Sequence, residues 1–208
     1  MTSSAYLPVF ETTRGDTIES IHYGAIAVVN SDGELVASFG DPQTTTFTRS
    51  SAKPFQSLPF IEALGHEHFA LSQEEIALIC ASHSGTDAHV AIAESIQGKV
   101  GIDKTQLLCG THQPYDKAAR KALLERGESP SVNHHDCSGK HSGMLAYAKM
   151  QSWPTESYIE RDHPIQKAIL KAVAEMSVLP EAQIKIGIDG CSAPNFAMPL
   201  YNAALAYA

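Results

Sequence analysis

The chain has 208 residues and is 43% hydrophobic, enough to bury the core of one large domain. With 23 acidic residues against 15 basic ones, a formal charge of −8 and no basic run, it lacks the electrostatic footprint of a nucleic-acid or anionic-membrane binder. Small neutral or polar ligands suit it better.

The opening MTSSAYLPVFETTRGD carries neither a basic nor an apolar leader region, and no stretch approaches membrane-spanning length, so a cytoplasmic location is expected. Residues 21–30 (IHYGAIAVVN), Ser31-Asp32-Gly33-Glu34 and LVASFG then read as two strands joined by an Asp-Gly turn. Helical pattern follows. PFQSLPFIEALG closes on Gly65, and Ser72 with Glu75 forms a capping box before IALICA. The segment 87–97 closes at Gly98, and YDKAARKALLERG closes at Gly127. His163-Pro164 opens a helix with Ile165, Ile169, Val173 and Met176 on one face, and Ala168 and Ala172 fill the stripe. IKIGID predicts a strand leading to Gly190-Cys191 and then to an apolar helix over AMPLYNAALAYA. That run has no glycine stop and no basic last turn, so a further C-terminal part is expected. No repeat or linker divides the chain, and it reads as one domain over 1–208.

Three short stretches carry chemistry. In DCSGKHSG (136–143), a phosphate loop is excluded because His134 stands where its first glycine belongs and His141 where Ser or Thr should follow the lysine. The plain reading makes Ser138-Gly139 a turn and Ser138 or Ser142 the cap of MLAYAKM. Cys137, Lys140 and His141 then remain unexplained. A thiol at a helix N-terminus beside an ammonium suits a nucleophile or a metal ligand, and Cys191, at what reads as a strand-to-helix turn, has a similar setting. Cys80 and Cys109, flanked by apolar residues, read as ordinary structural cysteines.

In RSSAKPFQ (49–56), Ser50 and Lys53 form S-x-x-K, in which the lysine can serve as general base to the serine. Pro54 disfavours a regular turn at Lys53, and a solvated lysine with a capping serine is the competing account. CASHSG (80–85) is a hydroxyl-rich turn able to hold an oxyanion, or simply a helix exit. The histidine groups GHEH (65–68) and HHD (134–136) lack H-E-x-x-H spacing and read as solvent-facing.

RSSAKPFQ, CASHSGTDAH, CSGKHSGML, HPIQ and DGCSAPNFAMPL, in that order, resemble the rhizobial-type L-asparaginase II family, whose fold is similar to that of serine β-lactamases and penicillin-binding proteins. The resemblance implies an α/β (α+β) fold in which an N-terminal antiparallel hairpin belongs to a β-lactamase-like sheet packed with several helices, the sheet being incomplete here. It also implies hydrolysis of L-asparagine to aspartate and ammonia by a cytoplasmic homodimer with a zinc ion. Carried over residue by residue, Ser50 is the nucleophile, Lys53 its base and Ser82 a second catalytic serine. Arg49, His141 and Asp189 handle substrate, and Cys137, Lys140 and Cys191 hold zinc. Ser82 would be partnered by a lysine from beyond residue 208. The chain departs from the family pattern at Ser192, where glycine is usual, at Thr86-Asp87, and in NHHD before the cysteine. Two other readings stand beside this one: a non-catalytic zinc-holding or partner-binding fragment, and a β-lactamase-like serine acyl hydrolase.

Overall fold

The computed structural model describes residues 5–208 and shows a mixed α/β chain with small antiparallel sheets, none closed, consistent with α+β. The chain divides into two compact units. The first comprises the residues up to Thr48 with Ala174–Lys185 and Phe196–Ala208; the second comprises Arg49–Val173 with Ile186–Asn195. No helix of the described residues is long and apolar enough to cross a membrane.

In the first unit, strand β1 (Leu7–Arg14) pairs antiparallel with β2 (Thr17–Gly24), turning at Gly15, whose φ of +60° suits a residue without Cβ. The β run expected over 21–30 therefore divides at Ala25. Its first part belongs to β2, and only the second, β3 (Ile26–Val29), pairs with β4 (Leu35–Phe39) around the expected Asp32-Gly33 turn. Asn30 holds that turn by accepting the N–H groups of Asp32 and Glu34 at 3.1 and 2.8 Å. Strand β5 (Thr45–Phe47) pairs antiparallel with the later strand β7 (Pro194–Pro199), with Phe47 opposite Ala197. The expected terminal helix is thus corrected: NFAMP is strand, and only Leu200–Leu205 is helical, starting after Pro199. A short apolar run does not distinguish strand from helix by periodicity, and the two prolines bound this one at strand length.

The second unit is helical. It contains a 3₁₀ turn (Arg49–Ala52), α1 (Lys53–Glu62), α2 (Gly65–His68), α3 (Gln73–Cys80), α4 (Asp87–Val100), α5 (Lys117–Glu125), α6 (Ser138–Met150) and the first ten residues of α7 (Pro164–Ser177). The Ser72–Glu75 capping box starts α3 as expected. Two helix ends differ from expectation. Gly65 opens α2 rather than closing α1, and α4 runs through Gly98 to stop at Gly101, whose φ is +70°. Pro54 does not break α1, because it occupies an early helical position whose N–H would be unsatisfied anyway.

Helix α6 is the centre of this unit and packs against α1, α3 and α4. Its glycines explain the close approach to α3. A Cβ on Gly139 would lie 2.3 Å from the Leu78 carbonyl oxygen, and one on Gly143 2.5 Å from the Ile79 side chain. In this unit Leu78, Ile79, Ile96, Leu145, Ile165 and Ile169 are buried. On α7, Ile165, Ile169 and Val173 are inside, whereas Met176, expected on the same stripe, is 42% exposed. Strand β6 (Lys185–Ile188) forms as expected, and β7 follows it through a tight turn in which the Asp189 N–H donates to the Ala193 carbonyl at 2.9 Å. DGCSAPN is therefore a strand-to-strand turn, not a strand-to-helix one.

Candidate active site

The chemistry-bearing stretches converge within the second unit. A polar cavity of about 260 Å³ is lined by Arg49, Ser50, His112, Tyr115, His135, Asp136, Cys137, Asp189, Gly190 and Cys191, a size suited to a small polar molecule.

Ser50 lies in the 3₁₀ turn that runs directly into α1, on the cavity wall. Arg49 before it has φ +51°, a left-handed conformation uncommon for a side chain of this size. Three contacts hold it there. The Arg49 N–H donates to Asn195 Oδ1 at 3.0 Å, Asn195 Nδ2 donates to Asp189 Oδ2 at 3.0 Å, and the Arg49 guanidinium pairs with Asp189 Oδ1 at 2.8 Å. Asn195 closes this loop of contacts and was not singled out in the sequence; its position just after the Cys191 turn was the available signal.

Lys53, the first residue of α1, is only 1% exposed. Its Nζ donates to Ser82 Oγ at 2.5 Å and to the Asp136 carbonyl at 3.2 Å, and lies 3.7 Å from Asp136 Oδ2. Ser82 is brought there by the loop leaving α3, and His83 beside it anchors that loop. The Gly85 N–H donates to His83 Nδ1 at 3.1 Å, so Nε2 carries the proton and donates to Ser138 Oγ at 2.8 Å. Burial, with the charges of His89 and Lys53, pushes His83 down to about 4. Burial would raise the Asp136 carboxyl, but His135, His112 and Lys53 outweigh it and hold the group well below the usual carboxylate range.

Cys137 is the N-cap of α6, as its position suggested, but the serines do not cap. The helix begins at Ser138 and runs straight through Gly139, Lys140, His141 and Ser142, all of them buried. Cys137 and Cys191 influence each other's protons in opposite directions. The Cys137 thiol donates to Cys191, which places Cys191 far below an ordinary thiol despite its burial, with His141 and Lys140 adding to the effect, and raises Cys137. Lys140 Nζ lies 3.1 Å from Cys191 Sγ. His141 is wholly buried and does not line the cavity. The Tyr158 hydroxyl accepts the Leu108 N–H at 2.8 Å and donates to His141 Nδ1 at 2.6 Å, so His141 Nε2 bears the proton and has no hydrogen-bond partner among the described residues. Burial pushes its pKa down to about 4, against the raising influence of Cys191.

Two further expectations need correction. His134 and His135 are each 7% exposed, not solvent-facing, and His135 reaches the cavity wall. Cys109 is buried as expected, its thiol pushed up to about 12 by burial, while Cys80 is only partly covered.

The arrangement offers a serine on a cavity wall, a buried lysine hydrogen-bonded to a second serine, a guanidinium–carboxylate pair and two cysteines, one of them beside an amine. Compared with known proteins, residues 10–208 match the family model described as L-asparaginase II. No curated protein matches the chain.

Proposed function

Because the chain belongs to the L-asparaginase II family, we propose that it hydrolyses the side-chain amide of L-asparagine to aspartate and ammonia through an ester on Ser50. The observation that carries this reading is Lys53, buried to 1% exposure at the start of the helix that follows Ser50, with its Nζ 2.5 Å from Ser82 Oγ.

Ser50 Oγ attacks the amide carbon and its proton passes to Lys53, directly or by way of Ser82, once the lysine has given up its own proton to act as base. That proton passes to the departing nitrogen, which leaves as ammonia. Water then adds to the ester carbonyl, releases aspartate and restores the Ser50 hydroxyl. The cavity complements the other end of the substrate. Arg49 and Asp189, paired at 2.8 Å, present the opposite charges needed for an amino acid's carboxylate and ammonium.

Cys137, Lys140 and Cys191 fit a zinc ion. Two cysteine sulfurs and an amine 3.1 Å from one of them make a soft sulfur–nitrogen donor set, though Cys137 and the lysine must each shed a proton to join it. Bound zinc would supply a fixed positive charge beside the cavity. His141, fixed from behind by Tyr158, acts on the substrate side through Cys191, whose thiolate it favours. The sequence resemblance supports a cytoplasmic homodimer, which sedimentation and fractionation would check.

The test is ammonia release from L-asparagine by the purified chain, with and without added zinc. Ser50→Ala should abolish it. Full activity in Ser50→Ala would overturn the mechanism, and a folded, zinc-binding chain that releases no ammonia would make it a zinc-holding module instead.

A further inference from the structure

The cavity holds a second group of ligand-type side chains, distinct from the two cysteines and their lysine. One ligand atom each from His112, His135 and Asp136 lies within 4.8 Å of the others. The hydrogen bonding of the two rings determines what those atoms present. His112 Nδ1 faces the Gln113 carbonyl at 2.7 Å, an acceptor only, so Nδ1 carries the ring proton and Nε2 is bare. Nε2 accepts the Asp136 N–H at 3.2 Å, as a bare nitrogen should, yet it also faces Asp136 Oδ1 at 3.2 Å. His135 repeats the pattern. Its Nδ1 accepts the Cys137 N–H at 3.1 Å and faces the same Oδ1 at 3.0 Å. As neutral rings, two imidazole lone pairs and a carboxylate oxygen converge here, and the positive charge that holds them together is supplied either by a ring proton or by a cation bound among them.

We propose that His112, His135 and Asp136 bind a divalent first-row transition ion at the wall of the cavity, separate from the thiolate pair. Two imidazole nitrogens and one carboxylate oxygen are a donor set for zinc, cobalt or nickel rather than for magnesium or calcium, which favour oxygen. The other carboxylate oxygen, Oδ2, stays with Lys53 at 3.7 Å, so one carboxylate serves the ion and the ammonium together. Three protein ligands leave positions open to the cavity, the arrangement of sites that exchange water or a small ligand. On binding, each ring exchanges its long backbone N–H contact for the ion. His112 is part-exposed.

The test is titration of the full chain with Co²⁺ followed by absorption, because thiolate ligation produces a strong near-ultraviolet charge-transfer band and nitrogen–oxygen ligation does not. The wild-type chain should take two ions, one with that band and one without. Cys191→Ala should lose the first and keep the second. His112→Ala, at a part-exposed position where folding is not at stake, should keep the first and weaken the second at least about tenfold, since removal of a direct ligand costs no less than removal of a supporting one. Asp136→Asn should act in the same direction as His112→Ala. Failure of the wild type to take up any ion lacking that band, or an unchanged second ion in His112→Ala, would overturn the proposal. Ammonia release plays no part in this readout, so a chain that binds the second ion without hydrolysing asparagine fails the functional reading alone.

Discussion

Helix α6 and the β1–β2 hairpin reverse the usual relation between polarity and burial. The helix begins Ser-Gly-Lys-His-Ser-Gly, yet ten of its thirteen residues are buried. The hairpin carries Val9, Phe10, Ile18, Ile21 and Tyr23, each 44–63% exposed, and none of its residues is buried. Polar side chains survive inside because each meets a partner. Ser138 accepts from His83, Lys140 contacts Cys191, His141 accepts from Tyr158, and Ser142 accepts from Gln97. Burial in this chain follows close backbone approach and satisfied hydrogen bonds, and hydrophobicity alone does not decide it.

If the helical unit holds both chemistry and stability, substitutions there should dominate. Lys53→Met should lower ammonia release by about 10²–10⁴-fold, the usual contribution of a general base, while Phe10→Ser in β1 leaves the rate unchanged. Comparable losses from the two would break the contrast. Gly139→Ala forces a Cβ to 2.3 Å from a backbone oxygen that cannot swing aside, and should cost about 3 kcal/mol or more by urea denaturation.

Acid should act through the same unit. His83 titrates near its ordinary value once unfolded but at about 4 in the fold, so the stability that depends on its neutral form is complete above pH 6.5 and drains away as pH falls toward 4. Urea midpoints measured across that range should fall more steeply for the wild type than for His83→Gln; parallel curves would remove His83 from the account. A smaller gain is expected at Ser192, which holds φ +68° on the Cys191 turn, a conformation natural to glycine. Ser192→Gly should stabilise the chain by about 1 kcal/mol, seen as a raised urea midpoint. The smallest effect belongs to the hairpin, where Phe10→Ser should change stability by no more than about 0.5 kcal/mol.

Local signals were legible where local physics decides. The Ser72–Glu75 box, the Asp32-Gly33 turn and the helix after His163-Pro164 depend on neighbours in the chain, and all three formed as read. The signals failed where distant partners decide. Nothing near Ser138 announces that His83 and Asn133 will accept it into a helix interior, so its hydroxyl looked like a cap. NFAMP became strand because Thr45–Phe47, far back in the chain, pairs with it. The site divides in the same way. Ser50, Lys53, Cys137 and Cys191 stood out by residue type and turn setting, whereas Asn195, Tyr158 and His112 matter only through contacts that span many residues.

The left-handed backbone at Arg49 has a consequence for how the chain is made. Its N–H is held by the side chain of Asn195, 146 residues later and emerging from the ribosome long afterwards. A nascent chain that has already spun the helix after Ser50 still lacks the Asn195 clasp on the residue before the serine. If Ser50 is the proposed nucleophile, its reactivity would arrive only with the last turn of the site, and an unfinished or mis-assembled chain would carry the residues of the reaction without their arrangement.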